Sequence, residues 1–387
     1  MNKLKVGMVV DPWDLPFNGT VVSARRFVAA LSDQVDFRIL MTASTGDDIP
    51  DGAVLFEKVS IPFVNRIIDR MQAPVAKPNS ARLDELMRSI DVLHVQYPFF
   101  LAFAAIRAAR RAGVPVISSY HVQPENILQN LGLGGPALVP TLYRLFVWAF
   151  YNAADHVIAP SHFAADLLRR HGTKTPITVI SNGITDQFFD SQPRQPRPAE
   201  APFRLLNVGR LAPEKQQHLI IEAVAQSRHR DRCELRIVGS GPRKDRLQRL
   251  AKARGVKANI GPCSDDELLA LYRQCDVFIQ ASTVELEGMS ALEAMAMGCP
   301  VLLHRSSTSA LRELPVQAHA FFEGPSSEAL TERLNQVLSN DVQRAEMGKH
   351  NLMAARGRSH AECATQLLAL YREISAQDRQ LTQLAAG

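Results

Sequence analysis

Cysteine is scarce in this 387-residue chain and poorly placed for pairing. Cys233, Cys263, Cys275, Cys299 and Cys363 are odd in number and include no C-x-x-C spacing. That argues against a disulfide framework and a four-cysteine zinc site, and fits reduced, mostly buried thiols in a cytosolic protein. Long hydrophobic runs are also missing. The most apolar long segment, 137–154, is interrupted by Pro140, Arg144 and Asn152, which makes it a poor membrane span. The first residues, MNKLKVGMVVDPWD, pass from a short apolar run straight into acidic and turn residues, unlike a cleavable signal, and read as a first strand. There is no basic tail or stripe: the net charge of +5 is spread as 18 Lys+Arg against 17 Asp+Glu over residues 1–190 and 26 against 22 over the rest. Nucleic acid is therefore not an expected partner. No repeat of 20–50 residues suggests a solenoid.

What the sequence does contain is alternation. Short β-branched runs at Lys5–Val10, Phe37–Met41, Val92–Val95, Pro115–Ser118, His156–Ala159 and Ile177–Ile180 are separated by helical stretches at 20–32, 80–89, 101–112, 138–153 and 161–171. Such a series implies an α/β fold with a parallel sheet covered on both faces. Between Asp190 and Pro202, DSQPRQPRPAEAP has four prolines and no apolar pattern, which marks a linker. A second series follows, with strands at Arg204–Val208, Glu234–Val238, Asp276–Ile279 and Pro300–Leu303 and helices near 214–226, 241–254, 265–273, 290–297, 327–338 and 360–375. The expectation is two Rossmann-like doubly wound domains, 1–190 and 191–359, followed by a helical segment at 360–387. In such sheets ligands sit beyond the carboxyl ends of the strands, here in an interdomain cleft.

The most informative stretch is STVELEGMSALEAMAMGCP, from Ser282 to Pro300. A helix that starts just after Gly288 offers the backbone N–H groups of Met289 and Ser290 and the positive end of its dipole, a ready place for phosphate. Glu293, one turn in, has two acceptor oxygens suited to the vicinal hydroxyls of a ribose, and Glu285 stands eight residues earlier. E-A-M-A is also simply a good helix-forming string. In LLNVGRLAPEKQQHLI, Arg210 and Lys215 follow a buried strand and a glycine, where two cations neutralise a diphosphate better than one; in isolation they would read as surface charges. The turn Gly239-Ser240-Gly241-Pro242 reads as mainly steric. In the first half, Asn18-Gly19-Thr20 opens the first helix, where backbone amides can approach the same ligand, and His121 lies at the end of a strand, a position that raises the case for chemistry over structure.

Taken together, these motifs resemble the family 4 retaining glycosyltransferases of GT-B architecture, in family order from Gly19 through His121, the SNGI at Ser181–Ile184, GRLAPEK, VGSGP and ELEGMSALEAMAMGCPV. The resemblance implies donor-binding roles for Gly19, Arg210, Lys215, Glu285, Gly288, Met289, Ser290 and Glu293. Arg210 and Lys215 would hold the diphosphate, Glu293 the ribose, Glu285 the sugar hydroxyls, and His121 would face the sugar from the other domain. It also implies a last helix that crosses back to the first domain. Thr20, Gln216, Thr185 and Glu287 depart from the usual pattern and blur the identity of the donor sugar.

In such a reaction the leaving group is a diphosphate, so positive charge from Arg210, Lys215 and the helix start should dominate catalysis, with His121 and Glu285 completing the catalytic set. No nucleophile flanked by a base is apparent, and no D-x-D occurs, so no required metal is expected and no cofactor beyond a nucleotide-sugar co-substrate, by resemblance a UDP-sugar. The acceptor is open. YHVQPENI resembles bacterial enzymes that glycosylate diacylglycerol-type lipids, and the 61–71 segment, IPFVNRIIDRM, mixes apolar residues with Arg66 and Arg70 as an interfacial helix does. Arg107, Arg110 and Arg111 form either a lipid-facing or a merely solvated face, and Phe146, Trp148, Phe150 and Tyr151 either core or membrane contacts. The expected setting is cytoplasmic, peripheral at the inner face of the cytoplasmic membrane, with the oligomeric state unknown. A soluble carbohydrate acceptor, a nucleotide-sugar 2-epimerase and a non-catalytic nucleotide-sugar sensor are the alternatives.

Overall fold

The computed structural model describes residues 3–14, 19–43, 49–59, 74–131, 138–189, 198, 200–324 and 326–386, of which 130, 131 and 378–386 are described by their backbone alone. Asn18, the 61–71 segment and most of the proline-rich linker lie outside the described residues. The chain forms two compact units: Met1–Gly183 with Ala361–Gly387, and Ile184–His360.

The first unit is built on a seven-stranded parallel sheet. Its strands are β1 (Leu4–Val9), β2 (Val35–Thr42), β3 (Val54–Phe56), β4 (Val92–Val95), β5 (Val116–Ser119), β6 (His156–Ala159) and β7 (Ile177–Val179), in the order β3-β2-β1-β4-β5-β6-β7. The β4 residues are all buried, as a strand covered on both faces requires. Its helices are α1 (Gly19–Leu31), α2 (Ser80–Met87), α3 (Phe100–Ala112), α4 (Pro124–Leu131), α5 (Leu138–Phe146) and α6 (His162–Arg170). Ser161 caps the last of these by accepting from the Ala164 amide at 3.0 Å, a contact whose loss costs about 1 kcal/mol. The helical stretch read over 138–153 is not uniform. After α5 the coil widens to a π-turn over Val147–Tyr151, where the Asn152 amide reaches back five residues to the Val147 carbonyl at 2.7 Å.

In the second unit the parallel strands are β8 (Phe203–Val208), β9 (Cys233–Val238), β10 (Ala258–Gly261), β11 (Val277–Gln280), β12 (Val301–His304) and β13 (Phe321–Phe322), ordered β10-β9-β8-β11-β12-β13. Helices α7 (Gln217–Gln226), α8 (Lys244–Arg254), α9 (Asp265–Gln274), α10 (Met289–Ala296), α11 (Ser327–Leu338) and α12 (Asp341–Ala355) accompany it. The core joins Leu205, Ile237, Phe278 and Leu302 from the sheet to Leu292, Met295 and Leu334 from the helices. The chain then returns through α13 (His360–Ala386), whose Leu367, Leu368, Tyr371 and Ile374 share a core with Val6, Met8 and Phe27. None of the five cysteines forms a disulfide; four are buried and Cys263 is half-buried.

Both sheets reverse their winding once, at β1/β4 and at β8/β11. These are the switch points at whose carboxyl ends open α/β sheets bind ligands. Arg210 and Lys215 follow β8, Glu285 follows β11, and His121 follows β5, one strand beyond the first switch point.

Candidate functional site

The turn after β8 lies against the turn after β9, backbone to backbone. A Cβ on Gly239 would lie 2.1 Å from the Gly209 carbonyl oxygen, and one on Gly241 2.6 Å from that of Leu211, so glycine is required at both positions for the loops to meet. The Leu211 amide donates to the Ser240 carbonyl at 2.8 Å and sets Arg210 in place. Gln217, buried at the start of α7, donates to the Arg210 carbonyl at 2.9 Å from the other side. The VGSGP turn therefore serves the cation indirectly, through steric fit.

Each cation is held by a carboxylate. Arg210 Nη2 donates to Glu214 Oε1 at 2.7 Å, and the Glu214 side chain is only 2% exposed. Lys215 Nζ meets Glu285 Oε1 at 2.5 Å across the switch point, joining the loops that follow β8 and β11. The same Glu285 oxygen accepts from Gln280 Nε2 at 2.6 Å, while Gln280 Oε1 accepts from Ser290 Oγ at 3.3 Å. Gln280, at the end of β11 and buried, thus couples the Lys215–Glu285 pair to the first turn of α10. Glu285 Oε2 stays outside these contacts and is available as an acceptor. The sequence reading treats Arg210, Lys215 and Glu285 as independent ligand contacts; the structure makes them members of two ion pairs.

Gly288 caps α10 in the left-handed region, at φ 88°, and a side chain there would strike Leu311 at 2.5 Å. The amides of Met289 and Ser290 have no partner within the helix, as in any first turn. Glu293 is half-buried, and its Oε2 accepts from the Tyr272 hydroxyl at 3.2 Å, which also lies 3.1 Å from the Ser290 carbonyl. Burial, then the neighbouring Glu293 charge, pushes the Tyr272 hydroxyl well above the usual phenol range, so it stays a donor. The structure therefore gathers Arg210, Lys215, Glu285, Gly288, Met289, Ser290 and Glu293 around one switch point. Glu287 is buried, 4% exposed.

Gly19 and His121 belong to the first unit. Gly19 is the first residue of α1, and a Cβ on it would meet nothing within 4 Å. His121 Nε2 lies 2.8 Å from Gln96 Oε1, and burial pulls its imidazole down to about 4, so the ring is neutral at physiological pH. Glu214, Gln217, Tyr272, Gln280 and Gln96 escape the sequence reading. Only Glu214 had a signal, as an acid between the two cations; the others are polar residues at or near strand and helix ends whose partners are fixed by the fold.

Residues 17–188 match the family described as Glycosyltransferase Family 4, and residues 188–352 match Glycosyl transferases group 1. The chain belongs to the family 4 glycosyltransferases. The alpha-monoglucosyldiacylglycerol synthase of Streptococcus pneumoniae is 26% identical over 317 residues, 78% of this chain and 71% of the relative. A GDP-mannose-dependent alpha-mannosyltransferase of Corynebacterium glutamicum is 28% identical over 256 residues, 64% of this chain and 59% of the relative. Among solved structures, the Anabaena protein HepE in complex with UDP and glucose superposes with a TM-score of 0.74 at 19% identity, over 96% of this glycosyltransferase and 99% of that chain. The fold of this glycosyltransferase is accordingly GT-B, with two Rossmann-like parallel-sheet units. Among the described residues, no helix is long and apolar enough to cross a membrane, and no cluster of three or more His, Cys, Asp or Glu is placed to hold a metal ion.

Proposed function

We propose that this glycosyltransferase is a retaining hexosyltransferase that moves a sugar from UDP to a hydroxyl of a membrane lipid such as diacylglycerol or a glycolipid. The observation that carries the reading is the Lys215–Glu285–Gln280–Ser290 chain at the β8/β11 switch point, beside the open tip of α10. In this reading the second unit, the nucleotide-sugar domain, binds the diphosphate through Arg210, Lys215 and the amides of Gly288, Met289 and Ser290, and the ribose through Glu293. Lys215 has three donors and spends one on Glu285, so two remain for phosphate oxygens. As the glycosidic bond breaks, negative charge grows on the diphosphate, and these preorganised donors stabilise it without a metal. Glu285 Oε2 accepts from a sugar hydroxyl; in the first unit, the acceptor-binding domain, His121 keeps the role in transfer that the family resemblance gives it, as a neutral hydrogen-bond acceptor. Retention is assigned to attack on the face that the diphosphate leaves.

UDP is favoured because HepE was solved with UDP and glucose; the mannosyltransferase relative makes a GDP-sugar the competing donor. A thermal-shift screen with UDP-, GDP- and ADP-sugars separates them, since a ligand that binds only the folded chain raises its melting point. A shift with GDP-sugars alone overturns the UDP assignment.

The lipid acceptor is supported by the named activity of the streptococcal relative and by one exposed face. Leu138, Leu145 and Trp148, at 46%, 50% and 69% exposure, project from α5 and the π-turn beside Arg144. Phe146, Phe150 and Tyr151 are buried core, which resolves the aromatic run into one outward ring and three inward ones. The α3 arginines are exposed, and each is also engaged within the chain. Arg110 donates to the Ala153 carbonyl, Arg111 pairs with Asp84 at 2.5 Å, and Arg107 lies over the Phe103 ring. Membrane contact is therefore assigned to the Leu138–Trp148 face, at the inner surface of the cytoplasmic membrane. Flotation with anionic vesicles at low salt should carry the protein upward, and Leu145→Ser with Trp148→Ser should leave it behind. Wild-type protein that stays at the bottom would return the acceptor to soluble carbohydrates.

A further inference from the structure

Behind His121 the first unit buries a chain of polar side chains where aliphatic ones would pack at lower cost. Gln96, 4% exposed and next after β4, offers its Oε1 to His121 Nε2 at 2.8 Å. Its Nε2 lies 3.1 Å from Nε2 and 3.3 Å from Nδ1 of His94, which sits on β4 and is 2% exposed. His94 in turn places Nε2 at 2.7 Å from Ser119 Oγ and Nδ1 at 2.6 Å from the Tyr371 hydroxyl, with the two rings edge to face at 5.6 Å. Tyr371 is fully buried and belongs to α13, so the chain runs from the last helix through the sheet to His121, two residues beyond β5.

The chemistry of the links gives this chain a direction. A carbonyl oxygen only accepts, so the Gln96–His121 contact requires a proton on His121 Nε2 and leaves Nδ1 bare. The Gln96 amide could satisfy His121 the other way round, donating from Nε2, and that would move the proton to Nδ1. What selects between the two is His94. The edge of the His94 ring is taken by Ser119 and Tyr371, and Gln96 Nε2 lies near both ring nitrogens, so an amide N–H meets the electron-rich face of the ring, where a carbonyl oxygen would be repelled, and the amide oxygen turns toward His121. Burial pulls His94 down to about 3, so neither imidazole becomes a cation that would reverse the pattern at neutral pH.

We propose that Tyr371, His94 and Gln96 are positioning residues that lock His121 as the Nε2–H tautomer and present its Nδ1 as a hydrogen-bond acceptor, which makes the last helix a working part of the site. The inference deepens the reading of His121 given above and rests on it for its catalytic meaning.

The experiment uses the full-length protein with 15N-labelled histidine, with the His121 signals identified by their loss in His121→Gln. Wild type should show a protonated Nε2 and an unprotonated Nδ1 at His121. In Gln96→Leu the two nitrogens should move to averaged, mixed-tautomer positions, and kcat should fall about 10-fold with the donor KM changed less than about twofold. Gln96→Glu restores an oxygen acceptor at the same place and should restore both the tautomer and most of kcat; a purely structural role gives no such rescue at the imidazole. Tyr371→Phe should mix the tautomers partially, because His94 loses its outer partner. A wild-type His121 that carries its proton on Nδ1, or nitrogen signals unmoved in Gln96→Leu, overturns the proposal. If the tautomers behave as stated while His121→Ala transfers sugar at the wild-type rate, the lock stands and the role given to His121 in transfer falls instead.

Discussion

The two units carry polar clusters of opposite kind at equivalent places, the carboxyl ends of strands beside a switch point. In the second unit the groups are charged and partly open to solvent: the Lys215–Glu285 pair is 20% and 13% exposed, and Arg210 is 38% exposed. In the first unit the groups are neutral and closed in: His94, Gln96 and Tyr371 are nearly inaccessible, and burial holds both imidazoles uncharged. On the proposed reading, the difference follows from what each would hold. A diphosphate is best met by fixed cations with spare donors, whereas a sugar hydroxyl needs an acceptor in a defined direction and no net charge. On that reading, preorganisation is electrostatic in one unit and rests on proton placement in the other.

Asp11 offers the largest break in that contrast, because it is a carboxyl group lodged in the neutral unit. It is inaccessible, neither oxygen has a well-formed hydrogen bond, and burial, only partly offset by the nearby Ala76 amide, raises it from 3.8 to about 7. The unfolded chain releases this proton near 3.8 and the folded chain only near 7, so stability is lost as pH rises between the two. The loss is on the order of a few kcal/mol. Asp11→Asn should flatten that fall when melting points at pH 5 and pH 8 are compared; an unchanged difference would remove Asp11 as its source.

Lys215→Ala tests the charged unit. It should lower kcat by about 100-fold or more, roughly 3 kcal/mol, with a smaller effect on donor affinity. Near wild-type turnover in steady-state kinetics would show that the Lys215–Glu285 pair is only structural. For the neutral unit, the unfolded imidazoles gain protons below 6.5 while the folded His94 and His121 resist until about 3 and 4. Stability present above pH 6.5 is therefore lost as pH falls, by about 2 kcal/mol per ring at pH 5. His121→Gln should reduce the acid sensitivity of the melting point, and failure to do so would contradict a neutral folded ring.

Glu293→Ala should weaken nucleotide binding by about 2 kcal/mol, measured by calorimetry, while leaving the saturated rate less affected. The smallest effect concerns backbone shape. Gln216 has φ 50°, the left-handed region that disfavours a side chain, so Gln216→Gly should stabilise the second unit by up to about 1 kcal/mol in urea unfolding. A loss of stability there would mean that the Gln216 side-chain bond to the Pro213 carbonyl, at 3.0 Å, outweighs the strain.

Much of the architecture was legible because the strands are short apolar runs between amphipathic helices, and because the glycines, cations and carboxylates fall at strand ends. Elements without that contrast were not. β3, β10 and β13, at the sheet edges, read only VLF, ANIG and FF, with no more than one β-branched residue apiece. α12, DVQRAEMGKHNLMAA, has little apolar periodicity; it is held by the Gly348 contact with Gly298, where a Cβ would meet a carbonyl oxygen at 2.4 Å, and by Asn351 donating to the Cys299 carbonyl. At the candidate site, residue types were readable and partnerships were not. Lys215 and Glu285 lie 70 positions apart, and His94 and Tyr371 277 apart, distances over which only the completed fold decides who meets whom.

The return of the chain at Ala361 has a consequence for biosynthesis. Ile184 and Ser359 pair side by side, so everything between them is spliced into the first unit as a loop with neighbouring ends. The inserted unit is complete before the ribosome has released α13, and it can fold while the host sheet still lacks the helix bearing Leu367, Tyr371 and Ile374. Until that last stretch emerges, apolar surface around Val6, Met8 and Phe27 waits uncovered, which makes a prematurely terminated product a substrate for quality control more than a partly active enzyme.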